Sequence, residues 1–189
     1  FEGLDVLIKS MLVAATFAAW LVTQSRLGEP TGLVWDLEEI GVDSGTMLLQ
    51  SLGGIVVLDA YLYWKHRLLH TRMFFPFHQD HHRFHDPTPF AALAVGPLES
   101  VLTYWPSLLL CWPAAIHWGP FYVTINLFFI VLNFYLHSGV TFPLLENVLL
   151  CLGFNSSAHH NTHHSHRVVN FGEPMILWDI LCNTRLKKK

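Results

Sequence analysis

The chain has 189 residues, 52% of them hydrophobic and 13% charged, with a formal net charge of −3. So apolar a chain is long enough for one domain with a sizeable core and points to a membrane protein, while the lack of a basic excess argues against a nucleic-acid partner. Three scattered cysteines, Cys111, Cys151 and Cys182, argue against a disulfide framework or a zinc ribbon and read as buried small hydrophobes.

Four apolar segments approach the roughly 20 residues that a helix needs to cross a bilayer core of about 30 Å. The first, 4–22, carries Lys9 and lacks the small-residue cleavage pattern of a signal peptide, so it is kept as a span. The loop after it is acidic, with Glu29, Asp36, Glu38, Glu39 and Asp43 against Arg26. The second span, 46–64, leads directly into HRLLHTRMFFPFHQDHHRFH, which places histidines at His66, His70, His78, His81, His82 and His85. His66 and His70 are spaced as neighbours on one helical face, and His78 sees His81 and His82 at the same spacings. The boxes are therefore expected on helices that extend out of the membrane. Asp59, Tyr63, His66 and His70 share one stripe of such a helix. A carboxylate near the end of a span is costly unless used. Asp59 therefore either accepts a hydrogen bond from a histidine on another helix or bonds locally to Tyr63 or water.

The third and fourth spans, 98–116 and 121–136, are separated only by His117, Trp118, Gly119 and Pro120 and form a helical hairpin. His117, alone beside Trp118, reads as a core or interfacial residue. Asn126, Asn133 and His137 make a further stripe, which nominates His137 as a ligand supported by Asn133. Phe128, Phe129, Phe134 and Tyr135 read either as the wall of a lateral substrate opening or as plain core and lipid-facing residues. A last box holds His159, His160, His163 and His164, with Asn155, Ser156 and Ser157 before it as a helix N-cap. The terminal run Lys187 to Lys189 either attracts anionic lipid or is a solvated tail.

Crowding these imidazoles together without a metal would leave ring nitrogens competing for few acceptors, at about 1 to 3 kcal/mol per unpaired buried group. The boxes are therefore read as parts of one metal site. Eight or nine imidazoles exceed the about four to six ligands of one transition metal, so two ions are implied. Iron, copper, nickel and zinc all suit imidazole. An even number of crossings separates the boxes, which places them on one side of the membrane. Nine of the eleven basic residues flank them, which makes that side cytosolic. The sequence has no HExxH pattern, glycine-rich phosphate loop, GxSxG elbow or dinucleotide fingerprint.

HxxxH at His66, HxxHH at His78 and HxxHH at His160, with YWKHRLLH at the first and NFGEPMILWDILCNT after the third, resemble the sterol desaturase and fatty acid hydroxylase superfamily over about residues 59–185. HDPTPFAALAVGPLE is similar too, although members often have a histidine where Gly96 stands. The resemblance implies a membrane non-haem di-iron enzyme that hydroxylates or desaturates a sterol or fatty acyl lipid with dioxygen. It carries His66, His70, His78, His81, His82, His160, His163 and His164 over as ligands of two iron ions, joined by His137. Zinc binds such nitrogen sites well and is expected to compete with iron in a purified sample. His85 and His159 stand beside this set. With no haem, flavin or nicotinamide site in the sequence, the two further electrons are expected from a b-type cytochrome or a ferredoxin system.

The fold expected is therefore all-α and integral to the membrane. A single domain over 1–189 has four transmembrane helices and a helical His-rich cap on the cytosolic face, formed by 65–90 and 137–185. The membrane would be the endoplasmic reticulum of a eukaryote, the inner membrane of a bacterium or an organelle membrane. Two other readings remain: an accessory membrane subunit that keeps the fold and metal site without the reaction, and a metal transporter, disfavoured because the histidines lie at helix ends.

Overall fold

The computed structural model describes residues 4–29, 31, 33–36, 38, 41, 43–84, 88–104, 116–117, 119 and 130–186, and of 116–117 the backbone alone. Two long helices dominate. α1 spans Leu4–Arg26 and α2 spans Ser44–Leu69, and no proline interrupts either. Gly28, at φ 77°, takes the left-handed conformation just beyond the end of α1. Asp43 starts α2 by accepting the Thr46 N–H at 2.9 Å. Both helices are long and apolar enough to cross a membrane. They turn large apolar residues outward, with Leu12 62% and Leu49 70% exposed. At 1.5 Å per residue the 26 residues of α2 extend about 39 Å, so its last turns outrun a hydrocarbon core of about 30 Å.

Between the long helices, Leu33–Val34 (β1) pairs in parallel with Ile116–His117 (β2), Leu33 opposite Ile116. This two-residue ladder departs from an all-helical fold. It joins the acidic loop after α1 to the connection between the third and fourth predicted spans. Those spans are represented by α3 (Pro97–Tyr104) at the start of the one and α4 (Leu132–Leu136) at the end of the other. Residues 105–115 and 121–129 of these spans lie outside the described residues, and so do His85 and Lys187 to Lys189; Cys111, Asn126, Phe128 and Phe129 fall in those stretches. α3 packs on α1 through Ser100 Oγ, 3.0 Å from Ser10 Oγ, and receives the Tyr61 hydroxyl from α2 on Leu102 O at 2.7 Å.

The remaining helices are α5 (Pro143–Cys151), α6 (Ser157–His166) and α7 (Leu177–Leu181). α6 carries the last histidine box. Its N-cap is Ser156, as the sequence suggests, accepting the His159 N–H at 3.3 Å. The expected helix for the second box is replaced by short 3₁₀ turns at Phe75–Phe77 and His81–Arg83. Pro76 has no N–H to give an α-helix, and three-residue bonds close the turns instead: His78 N–H to Phe75 O at 2.9 Å and His81 N–H to His78 O at 3.1 Å. The cysteines also depart from expectation. Cys151, in the last turn of α5, is exposed, and Cys182 is half-buried.

Candidate metal centre

The end of α2, the turns after it, His137 beyond α4, and α6 converge on two groups of imidazoles. His66, His70, His78, His82 and His163 form one, and His81, His137, His160 and His164 form the other. In each group, one nitrogen per ring lies within 4.8 Å of every other. The spacing inside each box explains the division. On α6, His160 and His164 lie one turn apart and face the second group, while His163 faces the first. In the 3₁₀ turns the assignment is reversed, with His78 and His82 in the first group and His81 in the second. The groups touch, since the rings of His82 and His164 are centred 4.8 Å apart. All nine side chains chosen from the sequence are brought together here. His159 is not among them. Its Nε2 lies 3.5 Å from Asp179 Oδ2.

The proton inventory fits a cation in each group. His66 donates Nδ1–H to Phe171 O at 2.8 Å, His163 donates to Val169 O at 2.8 Å, and His78 pairs with Glu99 Oε2 at 2.7 Å. A carbonyl oxygen only accepts, so each neutral ring so anchored points a lone pair inward from Nε2. There the nitrogens crowd: His82 Nε2 lies 3.0 Å from His70 and His78 and 3.2 Å from His163, and His66 lies 3.2 Å from His70. A single N–H on His82 cannot serve three neighbours, whereas a metal ion accepts all the lone pairs. In the second group His137 donates Nδ1–H to Asn133 O at 2.9 Å. Its Nε2 faces His81 and His160 at 3.2 and 2.9 Å. Nδ1 of His81, His82 and His160 and Nε2 of His164 are buried without a hydrogen-bond partner.

Burial lowers the basicity of these rings, and neighbouring imidazoles reinforce it. His137 is held at about 4, His163 at about 3 and His70 at about 2. His81, His82, His160 and His164 are also held well below the ordinary histidine range. Neutral imidazole is the form that ligates metal.

Beside both groups lies a cavity of about 450 Å³. His66, His78, His81, His137 and His160 form part of its wall. Much of the rest is apolar and comes from α1, including Met11, Ala14, Ala15, Ala18 and Leu21. Phe134 and Tyr135 are not part of the wall, in keeping with the reading of them as plain core and lipid-facing residues. The Tyr135 hydroxyl instead donates to Glu146 Oε1, and its ring packs on Phe142.

The comparisons with known proteins agree with this architecture. The sequence profile of the fatty acid hydroxylase family matches residues 51–184. This chain belongs to that family. Among curated proteins it is similar to lathosterol oxidase of Homo sapiens, 28% identical over 171 residues, covering 90% of this chain and 54% of that one. The Delta(7)-sterol 5(6)-desaturase of Gibberella zeae is 29% identical over 175 residues, 88% of this chain and 51% of its own. Methylsterol monooxygenase 1 of Rattus norvegicus is 31% identical over 143 residues, 72% and 46% of the two chains. The chain thus spans about half the length of these curated relatives. No solved structure matches it.

In this member of the fatty acid hydroxylase family, several residues that the sequence reading passed over hold the clustered histidines in place. Glu99, 3% exposed, anchors His78. Its signal was a carboxylate inside an apolar segment, the signal that singled out Asp59. Asp179, fully buried, accepts the N–H groups of Phe171 and Gly172 at 2.9 and 2.8 Å and the Thr184 hydroxyl at 2.7 Å. Burial works to raise its carboxyl, but the nearby His159 ring and the bonds from Thr184 and Gly172 outweigh that and hold it below the ordinary range. Asp179 thereby fixes the loop that presents Phe171 O to His66. Asp59 bonds neither a histidine nor Tyr63: its Oδ1 accepts the Met175 N–H at 2.9 Å, tying α2 to the segment before α7. Tyr63 bonds Thr184 instead, at 2.8 Å. Gly96 lies against the turn backbone. A side chain there would meet Phe77 O at 3.1 Å.

Proposed function

We propose that this chain is the catalytic core of a membrane non-haem di-iron oxygenase that hydroxylates or desaturates a lipid of sterol or fatty acyl type. The observation that carries the reading is the convergence of nine imidazoles into two adjoining groups on the wall of a largely apolar cavity. His66, His70, His78, His82 and His163 would hold one ion, and His81, His137, His160 and His164 the other. The relatives named above as sterol oxidases and desaturases support a sterol-type substrate.

An iron pair bound there supplies the dioxygen chemistry that breaks an unactivated C–H bond. The chain supplies the rest. Acceptors on the outer nitrogens of His66, His78, His137 and His163 fix ring orientation and keep the inner lone pairs directed at the ligand positions. Burial of the rings keeps water from competing. The apolar wall of α1 aligns the lipid, and its exact placement selects between an alcohol and an alkene as product. Electrons come from a separate b-type cytochrome or ferredoxin system.

We read α1 and α2 as the first two of four membrane spans, with 98–116 and 121–136 as the others. The β1–β2 ladder supports this, because it joins the two loops that a four-span path puts on one face. The histidines then lie on the opposite, cytosolic face, in the endoplasmic reticulum, a bacterial inner membrane or an organelle membrane. The test is expression in a host membrane with metal analysis and lipid mass spectrometry. Two ions per chain and an oxidised or unsaturated lipid that disappears with His163→Ala support the reading. An unchanged lipid profile with the metal in place would leave an accessory subunit.

A further inference from the structure

The cavity has a polar corner that the metal site does not use. Lys65 comes from α2 with its side chain 5% exposed, and its Nζ donates to Thr103 Oγ1 at 3.1 Å and lies 3.4 Å from Glu173 Oε1. Glu173 Oε1 is in turn 3.8 Å from His66 Nδ1, and the Glu173 side chain stays 20% exposed. All four residues line the cavity. A desolvated ion pair facing an apolar ligand is costly, because burial removes hydration that hydrocarbon cannot replace. The ammonium has three N–H groups and two partners among the described residues, and the carboxylate adds acceptor capacity beside it.

We infer that the Lys65–Glu173 pair binds the hydroxyl of a neutral lipid alcohol, which enters polar end first and lies next to the metal centre. This rests on the lipid-oxygenase reading for its chemistry but not for its binding. An alcohol both accepts, from Lys65, and donates, to Glu173, and it brings no charge to a corner already balanced between ammonium and carboxylate. A fatty carboxylate would face Glu173 and the nearby Glu99, and a cationic headgroup would face Lys65. Hydrocarbon trailing from the hydroxyl follows α1 from Met11 to Val22, about 16 Å of apolar wall. The corner is 3.8 Å from His66, so the carbon that reacts lies within a few bonds of the carbinol carbon. A substrate held by a distant headgroup would instead be oxidised far along its chain.

The test is equilibrium binding to the metal-loaded protein in lipid nanodiscs. The probes are radiolabelled cholestanol and its methyl ether, and octadecanol and its methyl ether, which keep the hydrocarbon and lose the donor. At least one alcohol is expected to bind about tenfold tighter than its ether. Glu173→Leu, which removes the acceptor of the alcohol proton, should erase that gap while leaving ether affinity and metal content unchanged, whereas Lys65→Met should weaken alcohol and ether alike, a split that mere structural support does not produce. Should Lys65→Met not assemble, Glu173→Leu decides alone. Equal binding of alcohol and ether for both pairs, or a gap that survives E173L, overturns the assignment. Lipid oxidation without any alcohol preference sinks this inference and leaves the oxygenase reading intact; an alcohol preference without oxidation does the reverse.

Discussion

The two imidazole groups are assembled from the same boxes but held in different ways. In the first, His66, His78 and His163 each hand the outer nitrogen to a fixed acceptor: Phe171 O, Glu99 and Val169 O. Two of those acceptors belong to the C-terminal loop, which Asp179 clamps. In the second, His137 has Asn133 O, whereas Nδ1 of His81 and His160 is buried without a partner. The first group is thus shaped in advance by the fold, while the second depends more on its ion to orient its rings. The difference teaches that neighbouring ligand sets of the same chemistry need not bind metal equally well, because orientation is set outside the ligands.

Removing a ring that touches both groups tests the comparison most severely. His82 is 3.0 Å from two rings of its own group and centred 4.8 Å from His164 of the other, so His82→Ala should take lipid product to background and lower the metal content of both groups. Full retention of the second ion would show that the groups are independent. Next in size is Glu99→Ala, which should weaken metal retention in the first group by about 10- to 100-fold in a chelator titration; Glu99→Gln, which keeps an acceptor for His78, should cost less.

Graded chelation of the native protein sharpens the same point. One ion is expected to leave about tenfold faster than the other, the slower one being that of the first group. Simultaneous loss of both ions would contradict the asymmetry.

The metal-free protein should lose stability in acid. The unfolded chain protonates its histidines near 6.5, whereas the folded chain keeps His137 neutral to about 4 and His163 to about 3. Between those limits the unfolded state binds more protons, so stability falls as pH falls, with His137 completing its part before His163 and His70, held at about 2, carrying the loss further. A melting temperature that rises on acidification would refute this. The smallest effect is that of Ser156→Ala, which removes the α6 cap and should cost about 1 kcal/mol in denaturant unfolding while leaving the first group's C-terminal acceptors intact.

Much of this cluster was legible because its histidines come in local patterns. HxxxH and HxxHH announce shared helical or near-helical faces, and the stripe from Asn133 to His137 picked out a clustered histidine between boxes. The split of the second and third boxes between two groups was not legible, because it depends on how the 3₁₀ turns around Pro76 and the α6 helix face each other. Nor were the supporting contacts. Glu99 and His78 meet across 21 residues, and Phe171 and Val169 act through backbone carbonyls that no side-chain identity advertises. Asp59 shows the limit from the other direction. Its position marked it as a used carboxylate, but its partner is a backbone N–H 116 residues away.

His66 lies in the last turn of α2, the same continuous helix that is long enough to cross a membrane, with no flexible joint between. In the proposed four-span arrangement, bilayer thickness would bear on the spacing of the imidazoles. Hydrophobic mismatch is relieved in part by helix tilt, and tilting α2 would swing His66 against His163 on α6. Lipid composition would then be a mechanical input to the geometry of the proposed metal centre.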